Sequence, residues 1–511
     1  MPNAFAHLVL YSWPLIAFFL FRFLPLRAAL IWTIVAGYLL LPTRAGFDLP
    51  AFPTVDKDFV AVVSALLMCA VFGRKAQTQN RLVQREGRSQ QRLLQPDLAE
   101  INSLIFVPKR GNKIFWGLIG LATLSPVMTV LQNAEPAIRG PGFIPGLRPY
   151  DAFSIALTLL VTILPFLLGR RYLASESAQK LLLKGIALAL LIYSFLALYE
   201  VRMSPQLNTM FYGFFPHSWA QHVRGDGYRP LVFLPHGLIL SIFLGMGAAS
   251  AFAYWRCQAD KLKAAKWLLV GLWIFGTLVL SKSLGALVLT ILFCPVILFL
   301  GVRSQTIIAA LFAGVVLTYP MLRSADLIPV EAIHNAAQSI DEGRAQSLKY
   351  RLDNEDRLIE KAQQKPLAGW GGWGRSRVYD ESGWDITTTD GYWVIVIGAA
   401  GWLGYLAHFG LLCIPLVLLG IKGRKLDLTI ATSSLGIVHC IAIIDLLPNA
   451  SVSPVLWLIA GSVMGRFQTA NTRADLLAAK EEPLTSSDTP RERQSRPDTP
   501  TAPELHVRVP R

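Results

Sequence analysis

Residues 284–301 read LGALVLTILFCPVILFLG, a run without one charged side chain. A helix apolar on every side cannot face water, whereas a bilayer core needs roughly 20 such residues per helical span. The block is not isolated. Similar blocks recur at 5–22, 27–42, 58–73, 114–132, 150–169, 180–200, 230–254, 267–281, 306–322, 400–420, 428–446 and 452–467, which gives about thirteen expected spans. Across the 511 residues, 53% are hydrophobic and 16% charged, where soluble domains carry roughly 25% charge. That balance excludes a disordered chain and argues against a water-soluble enzyme. None of the blocks shows the short apolar/polar alternation of barrel strands, so the expectation is an all-α polytopic integral membrane protein.

Charge then orients the chain. The net charge is +15, and its excess is local: segment 74–113 holds nine Lys/Arg against three acidic residues, net +6. Lying between apolar blocks, it reads as a basic cytoplasmic loop under the positive-inside rule, with anionic lipid as contact and no nucleic acid as partner. With the C-terminus inside, the other basic turns (Arg22 and Arg27, Arg170 to Lys184, Arg256 to Lys266, Arg303, Lys422 to Lys425) fall on the same face. The opening MPNA lacks the basic segment of a signal peptide, and no cleavage is expected. Cys69, Cys257, Cys294, Cys413 and Cys440 show no spacing for a disulfide framework or a metal site, and no cofactor is expected. The expected organisation is a membrane domain over 1–467 and a disordered cytoplasmic tail over 468–511, rich in Pro, Ser and Thr. On the far face lie 133–149, 201–229 and a large loop at 323–391, which carries nine Lys/Arg against twelve Asp/Glu. Leu348, Leu352, Ile359 and Ala362 place a helix in that loop, ended by Lys365-Pro366.

Several residues in these far-face stretches bear chemistry, each with a plainer reading beside it. Gly369-Trp-Gly-Gly-Trp-Gly374 is no phosphate loop, since no strand precedes it and no Gly-Lys-Ser/Thr follows. It reads either as a tight turn with interfacial tryptophans or as a site where Trp370 and Trp373 stack on sugar rings. Lys282 lies in a turn between two apolar blocks, as a snorkelling side chain or as a functional cation. Arg224, Arg229 and Arg323, with Arg202, stand opposite the positive-inside charge; an anionic ligand gripped by guanidinium forks is the functional reading. His236, His408 and His439 lie in apolar runs, where helix–helix hydrogen bonding competes with a direct role. Glu200 and Asp445 read as solvated or paired. Among the loop carboxylates Asp353, Asp380, Asp385 and Asp390, the last directly precedes Gly391-Tyr392-Trp393, where the chain re-enters the bilayer, and is the candidate general base.

The order of these features is itself informative. Arg229-Pro230, Ser-Lys-Ser-Leu-Gly-Ala at 281–286, the helix from Arg351 into KPLAGWGGWGR at 365–375, and TTDGYWVIVIGAAGWLGYLAHFGLL at 388–412 follow one another. Over about 200–420 this resembles the O-antigen ligase/O-antigen polymerase superfamily of bacterial envelope glycosyltransferases. The resemblance implies a GT-C-like fold with a large periplasmic loop, in a multi-pass protein of the bacterial inner membrane. It also implies a glycan on undecaprenyl diphosphate as substrate, with membrane lipids and other polysaccharide assembly proteins as partners. Carried onto this chain, it gives Asp390, Arg351 and Arg229 catalytic roles. Lys282, Arg357, Arg375, Trp370, Trp373, Tyr392, Arg323, Arg224 and His236 become substrate-binding. Ligases of the group carry His-Asn where this chain has Thr389-Asp390, and Arg in a Ser-Arg-Gly turn where it has Leu284. That departure favours a polymerase of exopolysaccharide or O-antigen, acting by metal-independent inverting displacement. A ligase acting on another lipid or protein acceptor and a lipid-linked saccharide flippase or exporter are the alternatives.

Overall fold

The computed structural model describes residues 1–50, 52–86, 108–225, 227–325, 327–339 and 342–472. The heart of the expected basic loop (87–107) and the tail from 473 onward lie outside the described residues. Described helices are α1 (Ala4–Phe23), α2 (Leu26–Leu40), α3 (Lys57–Glu86), α4 (Asn112–Leu131), α5 (Pro149–Tyr172), α6 (Glu176–Met203), α7 (Leu207–Tyr212) and α8 (Gly237–Arg256). They continue with α9 (Lys261–Leu280), α10 (Leu284–Phe299), α11 (Val302–Ser324), α12 (Val330–Gln338), α13 (Glu342–Gln363), α14 (Tyr392–Lys422), α15 (Ile430–Asp445) and α16 (Pro454–Thr469). Two small antiparallel hairpins interrupt them: β1 (Ala137–Arg139) with β2 (Gly142–Ile144), and β3 (Val223–Arg224) with β4 (Gly227–Tyr228). Seven helices of the described residues (α1, α4, α5, α6, α8, α11 and α14) are long and apolar enough to cross a membrane, and four shorter ones are apolar. The chain is a largely helical, multi-pass membrane protein.

Packing follows the rules of an apolar solvent. Helices α8 and α15 are buried along nearly their whole length, whereas α1 turns Leu15, Phe18 and Phe19 outward and α10 does so with Val288, Ile291 and Leu292. Such outward apolar faces suit lipid, and small residues let the inner helices approach. A Cβ at Gly461 of α16 would stand 2.0 Å from the Phe166 carbonyl oxygen of α5, and one at Gly169 would stand 2.2 Å from that of Leu458. Buried polar pairs join α15 to its neighbours: Thr432 donates to Gln179 Oε1 of α6 at 2.6 Å and Ser434 to Gln305 Oε1 of α11 at 2.9 Å.

The bundle has two unlike ends. At one, Arg27 donates to the Tyr172 carbonyl, Arg170 to Gln468 and Asn112, Arg110 to the Ala470 carbonyl, and Arg466 to the Asp427 carbonyl. At the other, the long connections meet: Asn3 bonds Phe211 and Tyr212, Lys365 bonds Gln132 and Asn133, and Arg351 bonds Pro448 and Asn449.

Two spans differ from expectation. The block 230–254 is helical only from Gly237, because Glu200 accepts the Leu231 and Val232 N–H groups at 2.8 and 2.7 Å and holds that stretch in a turn, with Val232 at positive φ. The 400–420 block is the second part of α14, which breaks at Gly401 (φ 62°, ψ −163°). There the Gly398 and Ala399 carbonyls accept from Trp370 and Gly371 N–H at 2.8 Å each. The Trp402 and Leu403 N–H groups donate to Pro366 and Leu367 at 2.8 and 3.1 Å. The glycine-rich segment therefore replaces the helix's own hydrogen bonds across the break.

A Cβ at Gly401 would lie 2.5 Å from Leu367 backbone atoms in a backbone region open essentially to glycine. Gly401→Ala is expected to destabilise the fold by about 1–3 kcal/mol, read as a lower thermal unfolding temperature in detergent. Gly276→Ala, where a Cβ meets nothing within 4 Å, is expected to leave that temperature unchanged or raise it.

Candidate functional site

At the loop-bearing end lies a cavity of about 670 Å³. Four parts of the chain build it: His217, Gln221 and His236 before and at the start of α8, Tyr350 and Arg351 from α13, Arg377 with Thr387–Asp390 before α14, and Asn449 with Ser451 after α15. Leu358, Ile359 and Ala362 bury the later turns of helix α13 in the core, and its earlier turns present Tyr350 and Arg351 to the cavity. Arg323 at the end of α11 holds the helix from beneath through Asp356, 2.5 Å away, and the buried Glu355, 3.9 Å away.

Arg351 and Asp390 form the charged centre. Arg351 Nε stands 3.5 Å from Asp390 Oδ2, both side chains about 30% exposed, so neither is sealed from a ligand. Its Nη1 donates to the Pro448 carbonyl at 3.1 Å and to Asn449 Oδ1 at 3.3 Å. Asn449 in turn donates to the buried Asp445 at 2.8 Å. The Thr387–Asp390 stretch is held from several directions. Asp385 accepts the Thr387 N–H and hydroxyl at 2.9 and 2.8 Å. Arg377 donates to Asp385 at 2.9 Å and to the Thr387 carbonyl and Thr389 hydroxyl at 3.0 Å each. Asn354 accepts the Thr388 N–H at 2.9 Å, and the Tyr350 and Thr388 hydroxyls lie 3.0 Å apart. A segment so fixed keeps Asp390 in place without a ligand.

His217 and His236 form the opposite wall, with His222 packed behind them. His236 caps α8: its Nδ1 accepts the Leu238 N–H at 3.0 Å, which assigns the proton to Nε2, donating to Gln221 Oε1 at 3.1 Å. Burial, then His222, His217, Arg229 and Arg351, push His236 down to about 3, so it stays neutral near pH 7. His222, fully buried, donates from Nδ1 to the Ser218 carbonyl at 3.0 Å, and burial likewise lowers its pKa. The His217 ring lies edge-on to His236, with centroids 4.7 Å apart.

The structure thus brings together Asp390, Arg351 and His236. Arg229, Arg224 and Lys282 form a neighbouring group behind the histidines. Arg229 is buried, donates to the Lys282 carbonyl at 3.3 Å and lies where a Cβ of Gly237 would be. Lys282, in a left-handed turn, donates to the Arg224 carbonyl at 3.0 Å. Arg323 is buried in the clamp under α13. Tyr392 packs against Phe409 and His408, and His439 bonds the Leu412 carbonyl across helices at 2.9 Å.

Arg357 and Arg375 line a different cavity, separate from Arg351. Arg375 is buried and donates to the Trp370, Ile144, Pro145 and Glu135 carbonyls and to Asn133 Oδ1. It knots the glycine-rich segment to the β1–β2 hairpin. Trp370 is engaged too, its N–H on the Lys361 carbonyl at 2.7 Å and the Lys361 and Lys365 ammoniums 3.7 and 4.5 Å from its ring centroid. Trp373 is exposed. His217, Gln221, Tyr350, Arg377 and Asn449 join the first cavity without a sequence motif to mark them. Only Arg377, three residues past the glycine-rich run, has a local cue. Among the described residues no cluster of His, Cys, Asp and Glu is arranged to hold a metal ion. No protein-family model matches the chain, and no curated protein sequence matches it.

Glu355 yields a test of the clamp. Burial first, offset by Arg323, raises its carboxyl from the usual 4.5 to about 7. Folding then favours the protonated form, so its contribution is full below about pH 4.5 and is lost as pH rises through about 7. Wild-type thermal stability is expected to fall between pH 5 and pH 8 by an amount that Glu355→Gln removes, on the order of 3 kcal/mol at most. Unfolding curves of both proteins across that range check this.

Proposed function

We propose that this chain is a membrane glycosyltransferase. In this reading it is a polymerase of exopolysaccharide or O-antigen in a bacterial inner membrane. It moves a glycan from undecaprenyl diphosphate onto a growing lipid-linked chain. All thirteen apolar stretches then serve as spans, the basic end faces the cytoplasm and the cavity opens to the periplasm. The gathering of basic side chains at one end of the bundle supports that orientation.

One observation carries the reading: a partly exposed Arg351–Asp390 pair opens onto a cavity at the end of the bundle. A diphosphate leaving group gains negative charge as its bond to the anomeric carbon lengthens. Positively charged groups already in place, here guanidiniums, stabilise that charge most where water is scarce. When the diphosphate engages Arg351, Asp390 is released from its pair and accepts the proton of the attacking acceptor hydroxyl. The hydroxyl oxygen bonds the anomeric carbon, the carbon–oxygen bond to the diphosphate breaks, and one direct displacement inverts the centre. Asn449 and the Pro448 carbonyl orient Arg351; Gln221, held through its oxygen by neutral His236, turns its amide N–H groups to the sugar.

Purified protein given lipid-linked repeat units is expected to produce a ladder of longer glycans, and to do so in the presence of a metal chelator. A single transfer to a second lipid would instead identify a ligase, and no new glycosidic bond a transporter. Arg351→Ala is expected to lower elongation by about 10²–10³-fold and Asp390→Asn by about 10²–10⁴-fold, at unchanged membrane levels. Unaltered chain length in both variants contradicts the assignment.

A further inference from the structure

The second cavity, about 680 Å³, lies between the β1–β2 hairpin, α13 and the turn at 378–381, and Arg377 lines both it and the first. Its rim is built rather than incidental. Gly140 at the hairpin tip (φ 53°) sits so close to Gly383 that a Cβ would lie 2.3 Å from the Gly383 nitrogen, and Arg139 Nε donates to the Gly383 carbonyl at 2.9 Å. The Arg139 guanidinium lies 4.9 Å from the Tyr379 ring centroid, fixing that aromatic in the wall.

What the cavity offers differs from the first. Its cations are engaged with the protein: Arg375 on carbonyls, Arg377 on Asp385 and its neighbours, Arg357 on the Ile386 carbonyl at 3.4 Å, and Lys361 over Trp370. Glu360, Gln364 and Glu381, by contrast, line it with side chains that have no hydrogen-bond partner among the described residues. Free carboxylates and a side-chain amide accept from hydroxyl groups such as a sugar carries, while the cations beside them are already occupied by the protein. Ile138, Tyr379 and Ile386 add apolar surface for the C–H faces of sugar rings.

We infer that this cavity binds the phosphate-free, polyhydroxylated part of a glycan, the acceptor chain, and delivers its end past Arg377 to the Arg351–Asp390 centre. The inference rests on the polymerase reading for the word acceptor, but the saccharide site stands on its own lining.

The test uses the full-length protein in detergent and, as probe, lipid-free oligosaccharides released by mild acid from the host cell's own surface polysaccharide. Binding is read by saturation-transfer NMR and by equilibrium titration. Wild type and Arg351→Ala are expected to bind alike, inorganic pyrophosphate not to compete, and Glu360→Ala/Gln364→Ala, two exposed positions in the last turn of α13 and just beyond it, to bind at least 10-fold more weakly. The double variant is also expected to make shorter products from lipid-linked units. No binding by wild type, equal binding by the double variant, or displacement by pyrophosphate overturns the inference. Loss of binding in the double variant from a wild type that builds no ladder upholds the saccharide site and removes the polymerase. A ladder with binding untouched by the double variant does the reverse.

Discussion

A helix broken inside an apolar bundle leaves carbonyl and N–H groups that no water can reach, and something must satisfy them. At Gly401 that something is the chain from Pro366 to Gly371, which takes up two carbonyls and two N–H groups of α14. Thr129 and Asn133 at the end of α4 hold the same segment by donating to the Ala368 and Gly369 carbonyls. The excursion between α11 and α14 is thereby pinned to the bundle, and Arg375, Arg377 and the 387–390 stretch are carried to fixed positions. Both cavities depend on this anchoring.

The arginines at this end divide by how much of their fork the protein already uses. Arg375 and Arg323 are buried and committed, the first to backbone oxygens and the second to carboxylates, and their removal would strand those partners. Arg351 keeps a loose 3.5 Å contact with Asp390 at a partly exposed site. That difference separates an arginine that holds the loop together from one free to exchange a carboxylate for an anion. Side-chain type is the same in both cases; burial and the number of neighbouring oxygens decide.

Much of the fold was legible because apolar length is a one-dimensional signal: blocks such as 284–301 and 150–169 became helices close to where they were read. The end points that moved did so for non-local reasons, Glu200 reaching across to 231–232 and the 366–371 segment reaching across to α14. The site was legible in part. Asp390 stood out by its place before Gly391-Tyr392, and Arg351 by its place on a helix leading into the glycine-rich run. His217, Gln221 and Asn449 come from loops more than a hundred residues from Arg351 or, for Asn449, from beyond α15, and nothing local marks them. Arg375 and Trp370 were read as ligand-facing because sequence gives residue type without showing that Ile144, Pro145 or Lys361 would occupy their polar atoms and ring face.

The most direct measurement is a cryo-electron microscopy map of the full-length protein with undecaprenyl diphosphate bound. Density for the two phosphates against Arg351, with Asp390 moved off its guanidinium, is the expected result. Phosphates lodged beside Arg357 and Arg375, or at the basic end of the bundle, would contradict it.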